Sequence, residues 1–240
     1  MGRSRALPLR ALPRLFWPGF DPEEGAQEIP REEFEKLHNV LRLRSGAEIA
    51  VLPNDGRIVR CVLDGRSAVP QDVERLETQP SRVVTLAQAL PKPDKLDEVL
   101  RMCTELGVAH FLLFPSERTV VRWDAKKRAE KERRLLAIIR EAAEVSFRSI
   151  LPTLTWAGSL IEVLEAQPDA IVLSEVEGTT QTLPHCLGSS PKATLVIGPE
   201  GGWAPREVAL IGDRGATMGP RVFRVDTAAA AACAMALLCD

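Results

Sequence analysis

A change of rhythm near residue 80 constrains this chain more than any other feature. Before it, short apolar stretches are separated by turn residues: AEIAVL (47–52) and IVRCVL (58–63) flank Pro53-Asn54-Asp55-Gly56, which predicts a β-hairpin in a small β-rich unit. Asp64-Gly65, Pro70 and Pro80 end that style, and the boundary is expected between Arg75 and Arg82. After it, strands and helices alternate. A strand is predicted at 82–90, followed by a helix capped by Asp94 that carries Leu96, Val99, Leu100, Cys103 and Leu106 on one face and exits at Gly107. HFLLF (110–114) is the next strand, and a long basic helix runs from about Asp124 to Phe147. Strands follow at 170–175 and 194–198, then a short helix entered by Pro205, a strand at 222–225, and an Ala-rich helix from Thr227, its cap, to Leu238. This alternation implies an α/β domain with a parallel sheet covered by helices. The division is therefore residues 1–77 and 78–240.

Composition removes several function classes. No apolar run approaches the roughly 20 residues of a membrane-spanning helix. The first twenty residues carry Arg3, Arg5, Arg10 and Arg14 and no acid, but Pro8, Pro13 and Pro18 oppose an amphipathic transit helix. Five cysteines without a C-x-x-C pair, and three scattered histidines, give neither a disulfide framework nor a metal site, and reduced thiols in a cytoplasmic protein are expected. The net charge of −2 hides segregation: residues 21–37 hold seven acids and two bases, residues 118–140 nine bases and three acids. Such runs are either solvated helix surface or basic faces for an anionic partner.

Three stretches carry chemistry. Gly198-Pro199-Glu200-Gly201-Gly202 ends an apolar strand just before Pro205, where backbone groups can approach a ligand at the carboxyl end of a strand; a tight strand-to-helix turn is the other reading. It lacks the spacings of a dinucleotide loop or a P-loop. Met218 to Ala228 packs Arg221, Arg224 and Asp226 around a strand that feeds the last helix. Glu141 to Arg148 ends the basic helix, where a cation is also favoured by the helix dipole alone.

In order along the chain, Pro13-Arg14-Leu15-Phe16, His38 to Arg42, Gln88 and Lys92, Thr104 to Gly107, Ser116-Glu117-Arg118, Glu141 to Arg148, Gly198 to Gly202 and Met218 to Ala228 resemble the RsmE family of ribosomal RNA methyltransferases over nearly the whole chain. The resemblance implies an N-terminal PUA-like β-barrel that binds RNA and a C-terminal SPOUT α/β domain with a deep trefoil knot, working as a homodimer. It also implies an activity: transfer of a methyl group from S-adenosylmethionine to N3 of a uridine in 16S RNA, with small-subunit ribosomal RNA or the assembled small subunit as partner. By this resemblance the cofactor is held by Leu173, Gly198, Pro199, Glu200, Gly202, Met218, Gly219, Val222, Phe223 and Thr227. Three positions depart from the family pattern: Val145 stands where Gln is expected, Asp226 where Glu is, and Phe223 where Leu is.

For the N3 proton, Glu200 is the first candidate base and Asp226 the second. Arg14, Arg42, Lys92 and Arg148 are candidate RNA contacts, and surface salt bridging is the alternative for each. Two rival functions remain: a non-catalytic RNA-binding protein, and a knotted methyltransferase acting on another RNA site.

Overall fold

The computed structural model describes residues 7–121, 123–176 and 178–239. The chain divides into two compact units, one reaching to Gln79 and including Ala143–Leu151, the other Pro80–Ala142 with the chain from Pro152 onward. The segment 143–151 thus belongs with the first unit, which a boundary drawn at 77 alone would not assign.

The first unit is built on a five-stranded sheet of order β1-β3-β4-β5-β2, with β1 Arg14–Phe16, β2 Gln27–Glu28, β3 Glu48–Leu52, β4 Arg57–Asp64 and β5 Ser67–Arg75. Strands β3 and β4 pair antiparallel around Pro53–Gly56, as the sequence predicts. Asn54 (φ 71°) and Gly56 (φ 91°) supply the left-handed backbone that the turn needs, and Asp55 Oδ1 accepts the Arg57 N–H at 2.9 Å. Alternate residues Ile49, Val51, Val59 and Cys61 pack with Phe20 and Leu37, while Ala50, Leu52 and Ile58 pack with Phe16, Ala143 and Phe147. Two stretches were not legible in the sequence: β1 is too short to show a period, and the far half of β5 is exposed and charged. Helix α1 Arg31–Glu35 runs into a π-helical turn, Lys36–Val40.

The second unit holds a six-stranded sheet of order β11-β9-β10-β6-β7-β8, parallel at every pairing. Its strands are β6 Val83–Ala89, β7 His110–Phe114, β8 Thr153–Trp156, β9 Ile171–Leu173, β10 Lys192–Ile197 and β11 Gly215–Ala216. Its helices are α2 Pro93–Leu106, α3 Ala125–Val145 (whose last turn counts with the first unit), α4 Leu160–Ala166, α5 Leu183–Leu187, α6 Pro205–Ile211 and α7 Val225–Leu238. Strand residues sort by the period of two. Leu86, Phe111, Ile171, Leu173, Leu195 and Ile197 face one core with residues of α2, α5 and α7; Ala87, Phe114, Val172 and Val196 face the other with residues of α4. Helices therefore cover both faces.

Three local expectations fail. Residues 222–225 form no strand: Val222 is 82% exposed, and α7 starts at Val225 with Arg224 as its N-cap, so Thr227 lies inside the first turn and caps nothing. A strand would need alternate burial, and only Val225 is buried there. Likewise α2 begins at Pro93 behind Lys92, because proline's fixed φ suits the first helical position, and Asp94 is helical rather than the cap. Strand β8 and helices α4 and α5 add to the predicted order. Among the described residues no helix is long and apolar enough to cross a membrane.

Candidate active site

A cavity of about 650 Å3 opens at the carboxyl ends of β9, β10 and β11, beside the first turn of α7. Every pairing of β9, β10 and β11 is parallel, and the carboxyl ends of parallel strands are where open α/β sheets bind ligands. Leu173, Ile197, Met218 and Val225 give the cavity apolar surface; Glu175, Glu200, Arg118 and Lys95 give it charge.

The Gly198 loop is held from several directions. Gln88, fully buried, donates to Ala89 O at 2.9 Å and to Gly198 O at 3.4 Å. The Lys92 N–H donates to Glu200 Oε1 at 3.0 Å, and Arg118 donates to Gly201 O at 2.9 Å. Trp203 stacks on Phe114 with ring centroids 6.5 Å apart and donates its Nε1–H to Leu173 O at 2.9 Å. A Cβ at Gly198 would lie 3.1 Å from the Trp203 ring, so glycine there allows the indole to pack beneath the loop. Gly202 is different: nothing lies within 4 Å of a Cβ there, and its φ of +66° is what favours glycine. Glu207, 3% exposed, accepts from the N–H groups of Ala204 (2.9 Å) and Glu117 (3.0 Å), joining this loop to the one after β7.

Met218 to Arg224 forms the opposite wall. Thr217 Oγ1 donates to Gly219 O at 3.0 Å and accepts the Gly219 N–H at 3.1 Å, and Glu175 Oε1 accepts the Phe223 N–H at 3.1 Å. Asp226 pairs with Lys95 at 2.7 Å, and that hydrogen bond holds its carboxyl below the ordinary carboxylate range.

Leu173, Gly198, Pro199, Glu200, Gly202, Met218, Val222, Phe223 and Asp226 all line this cavity. Gly219 lies next to it, behind the Thr217 turn, and Thr227 is exposed on α7; neither lines it. Glu175, Trp203, Arg118 and Lys95 were missed. Trp203 had a signal, since an indole directly after a glycine pair needs a partner for its N–H. The other three are charges whose placement follows from the sheet order, which no local pattern encodes.

Of the RNA candidates, Lys92 adjoins this cavity through its backbone, with the residue exposed. The other three belong to the first unit. Arg42 is exposed, with a left-handed φ of 56°. Arg14 stacks over Phe147 at 4.8 Å and donates to Arg10 O at 2.8 Å; desolvation, with the Arg10 charge adding to it, lowers its pKa. Arg148 departs from the expectation of a phosphate contact. It is 3% exposed and donates to Gln79 Oε1 at 2.8 Å, and burial lowers its pKa to about 10, so in this structure its guanidinium supports the interior of the first unit. Glu144, four residues earlier, does the same by binding Lys36 at 2.6 Å and the Phe16 N–H at 3.3 Å.

Residues 77–237 match the model of the RNA methyltransferase domain family. The ribosomal RNA small subunit methyltransferase E of Bacillus subtilis is 33% identical over 217 residues, 83% of this chain and 85% of that protein. That of Mycobacterium bovis is 32% identical over 233 residues, 91% and 88%. Among solved structures, the Neisseria gonorrhoeae enzyme of the same name, bound to S-adenosylmethionine, superposes with a TM-score of 0.80 at 26% identity, covering 93% of this chain and 95% of that one. A Legionella pneumophila protein in complex with the same cofactor gives 0.84 at 26%, covering 93% and 96%. With its cavity at the carboxyl ends of parallel strands and similarity along nearly its whole length, the chain belongs to the ribosomal RNA small subunit methyltransferase E family.

Proposed function

We propose that the protein transfers a methyl group from S-adenosylmethionine to N3 of a uridine in 16S RNA of the small ribosomal subunit, in the cytoplasm and as a homodimer. In this reading the first unit is a PUA-like barrel that contacts RNA, and the second a SPOUT domain with a trefoil knot, whose cavity takes the cofactor. The observation that carries it is the cavity itself. Its volume falls in the usual range for cofactor sites, roughly 300 to 1,000 Å3. Its walls suit the cofactor too: apolar surface for an adenine, a carboxylate and backbone groups for polar ends, and at Gly202 open space where a side chain would intrude.

When bound, S-adenosylmethionine supplies a methyl group on a positively charged sulfur, already activated for displacement. The chain's own residues orient the acceptor and receive its proton. Glu200 is the better placed base, since it is exposed at the cavity and its Oε1 is steadied by the Lys92 N–H, leaving the other oxygen available. Asp226 is the weaker candidate. Its ion pair with Lys95 favours the ionised form, and a carboxylate with a lowered pKa is a poorer proton acceptor. Holding both reactants in line is expected to contribute the larger share, on the order of 7 to 11 kcal/mol.

The test is transfer of a tritiated methyl group into small-subunit RNA and into assembled small subunits, followed by mapping of the methylated base. A single uridine carrying the label at N3 is expected. Label on ribose or on another base, or none in either substrate, would overturn the assignment.

A further inference from the structure

A second cavity, of about 390 Å3, opens on the same sheet edge, at the carboxyl ends of β6, β7 and β8, where Leu90, Pro115 and Gly158 leave their strands. The loop after β7 separates the two cavities: Arg118 lines the first, while Ser116, Glu117 and Thr119 line the second.

Three features give the second cavity a chemical preference. Arg128, in the first turn of α3, is half-buried at its wall with the guanidinium over the Trp156 ring (5.6 Å) and Nε donating to Trp123 O (3.2 Å). Its two terminal nitrogens have no acceptor among the described residues, so they can fork onto an anion. Ser116 and Thr119 come next. Thr119 Oγ1 accepts the Ser116 N–H at 2.9 Å, and the two hydroxyls share one hydrogen bond at 3.3 Å, which leaves one hydroxyl proton free to donate. Finally, Trp123, Leu160 and Ile161 offer an apolar wall. The Glu207 carboxylate at this cavity already accepts two backbone N–H groups and so repels an incoming anion less than a free one would.

An anion, a hydroxyl-bearing ring and a flat apolar group in one cavity describe one nucleotide, and a volume of about 390 Å3 admits one rather than two. Lys126 and Lys127, exposed beside Arg128 in the first turn of α3, match a polyanion better than an isolated metabolite. We infer that this second cavity binds a nucleotide of the same RNA strand that presents its target base to the first, with Arg128 on its phosphate and the Ser116–Thr119 hydroxyls on its ribose. The inference rests on the function proposed above. It adds a place where the strand is gripped beside the reacting base.

The test compares the parent with Arg128→Ala and Ile161→Trp, the latter placing a bulky indole at a rim position that is 49% exposed. RNA affinity by filter binding across a salt series, cofactor affinity by calorimetry and single-turnover methyl transfer are measured on each. Both variants are expected to weaken RNA binding about tenfold with unchanged cofactor affinity, and Arg128→Ala alone to lower the salt slope by about one. If Arg128→Ala loses thermal stability through its lost packing on Trp156, Ile161→Trp decides. A parent that methylates RNA beside variants that equal it in RNA affinity and slope overturns this cavity's role alone. A parent that methylates no RNA overturns the functional reading first, and this inference with it.

Discussion

The two walls of the main cavity are built differently. Between Gly198 and Ala204 the chain is tied to four elements outside itself, by Gln88, the Lys92 N–H, Arg118 and Leu173 O, and Glu207 closes it from α6. Between Pro220 and Arg224, apart from the Ala228 N–H that Arg224 O accepts as α7 begins, the one hydrogen bond among the described residues that ties the chain to the rest is Phe223 N–H to Glu175, and Val222 is 82% exposed. A pre-set wall contributes orientation without reordering, while a loosely tied wall must be ordered when a ligand arrives. The difference teaches where each kind of mutation should register: on the first wall rate and geometry, with affinity where the backbone itself is strained, and on the second affinity alone.

The largest effect is expected from the fixed wall. Glu200→Gln keeps an acceptor for the Lys92 N–H but cannot take a proton, so single-turnover methyl transfer should fall about 100-fold or more with cofactor affinity within a few-fold. Raising the pH, which ionises uridine N3 in solution, should restore part of the rate; a variant as fast as the parent at every pH removes Glu200 as the base. Gly202→Val comes next. A β-branched residue at φ +66° costs on the order of 1 to 3 kcal/mol, and calorimetry should find cofactor affinity lower by about tenfold or more. Unchanged affinity in a folded variant would take that loop out of the site.

The open wall should respond more mildly. Glu175→Ala removes the tie to Phe223, and a loss of about 1 kcal/mol, or about fivefold in cofactor affinity, is expected with the maximal rate kept. A drop in maximal rate with affinity intact would reverse the comparison between the walls. The smallest effect belongs to Lys95–Asp226 at the start of α7, whose side chains are 30% and 16% exposed. Because Lys95 lowers the Asp226 pKa in the folded state, the pair's contribution is complete above the ordinary carboxylate value of about 4 and is lost as pH falls through the lower folded one. Thermal melts should show Lys95→Met slightly less stable than the parent at neutral pH, with the gap closing as pH falls below the ordinary carboxylate value. A gap that does not change with pH would remove the ion pair as its cause.

The same contrast explains what could be read from the sequence. The fixed wall declared itself, because Gly198 to Gly202 follows an apolar strand and precedes Pro205, and HFLLF showed β7 residue for residue. The open wall misled: Val222, Phe223 and Val225 look like strand residues, yet none of the described residues pairs with them in a ladder, and tertiary context overrode propensity. Arg148 misled in another way. A cation after a basic helix looks exposed in one dimension, and only the packing of 143–151 into the first unit buries it. Glu175 and Lys95 each gain their meaning from a partner 48 or 131 residues away, a separation that no window of sequence spans.

The sheet order also sets a timetable for synthesis. Strand β6 pairs with β7 on one side, after α2 has crossed over, but its partner on the other side is β10, with Val83 opposite Lys192. At about 5 to 20 residues per second, a ribosome delivers β10 roughly 5 to 20 s after β6. For that interval the strand at the centre of the finished sheet is an edge strand, apolar and with a row of unpaired backbone groups, on a nascent protein whose first unit already has its adjacent hairpin strands in hand. The strand that sits deepest in the finished sheet is thus the one with the longest wait, and newborn chains stalled before residue 192 are where sticking to a neighbour, or to a chaperone, should begin.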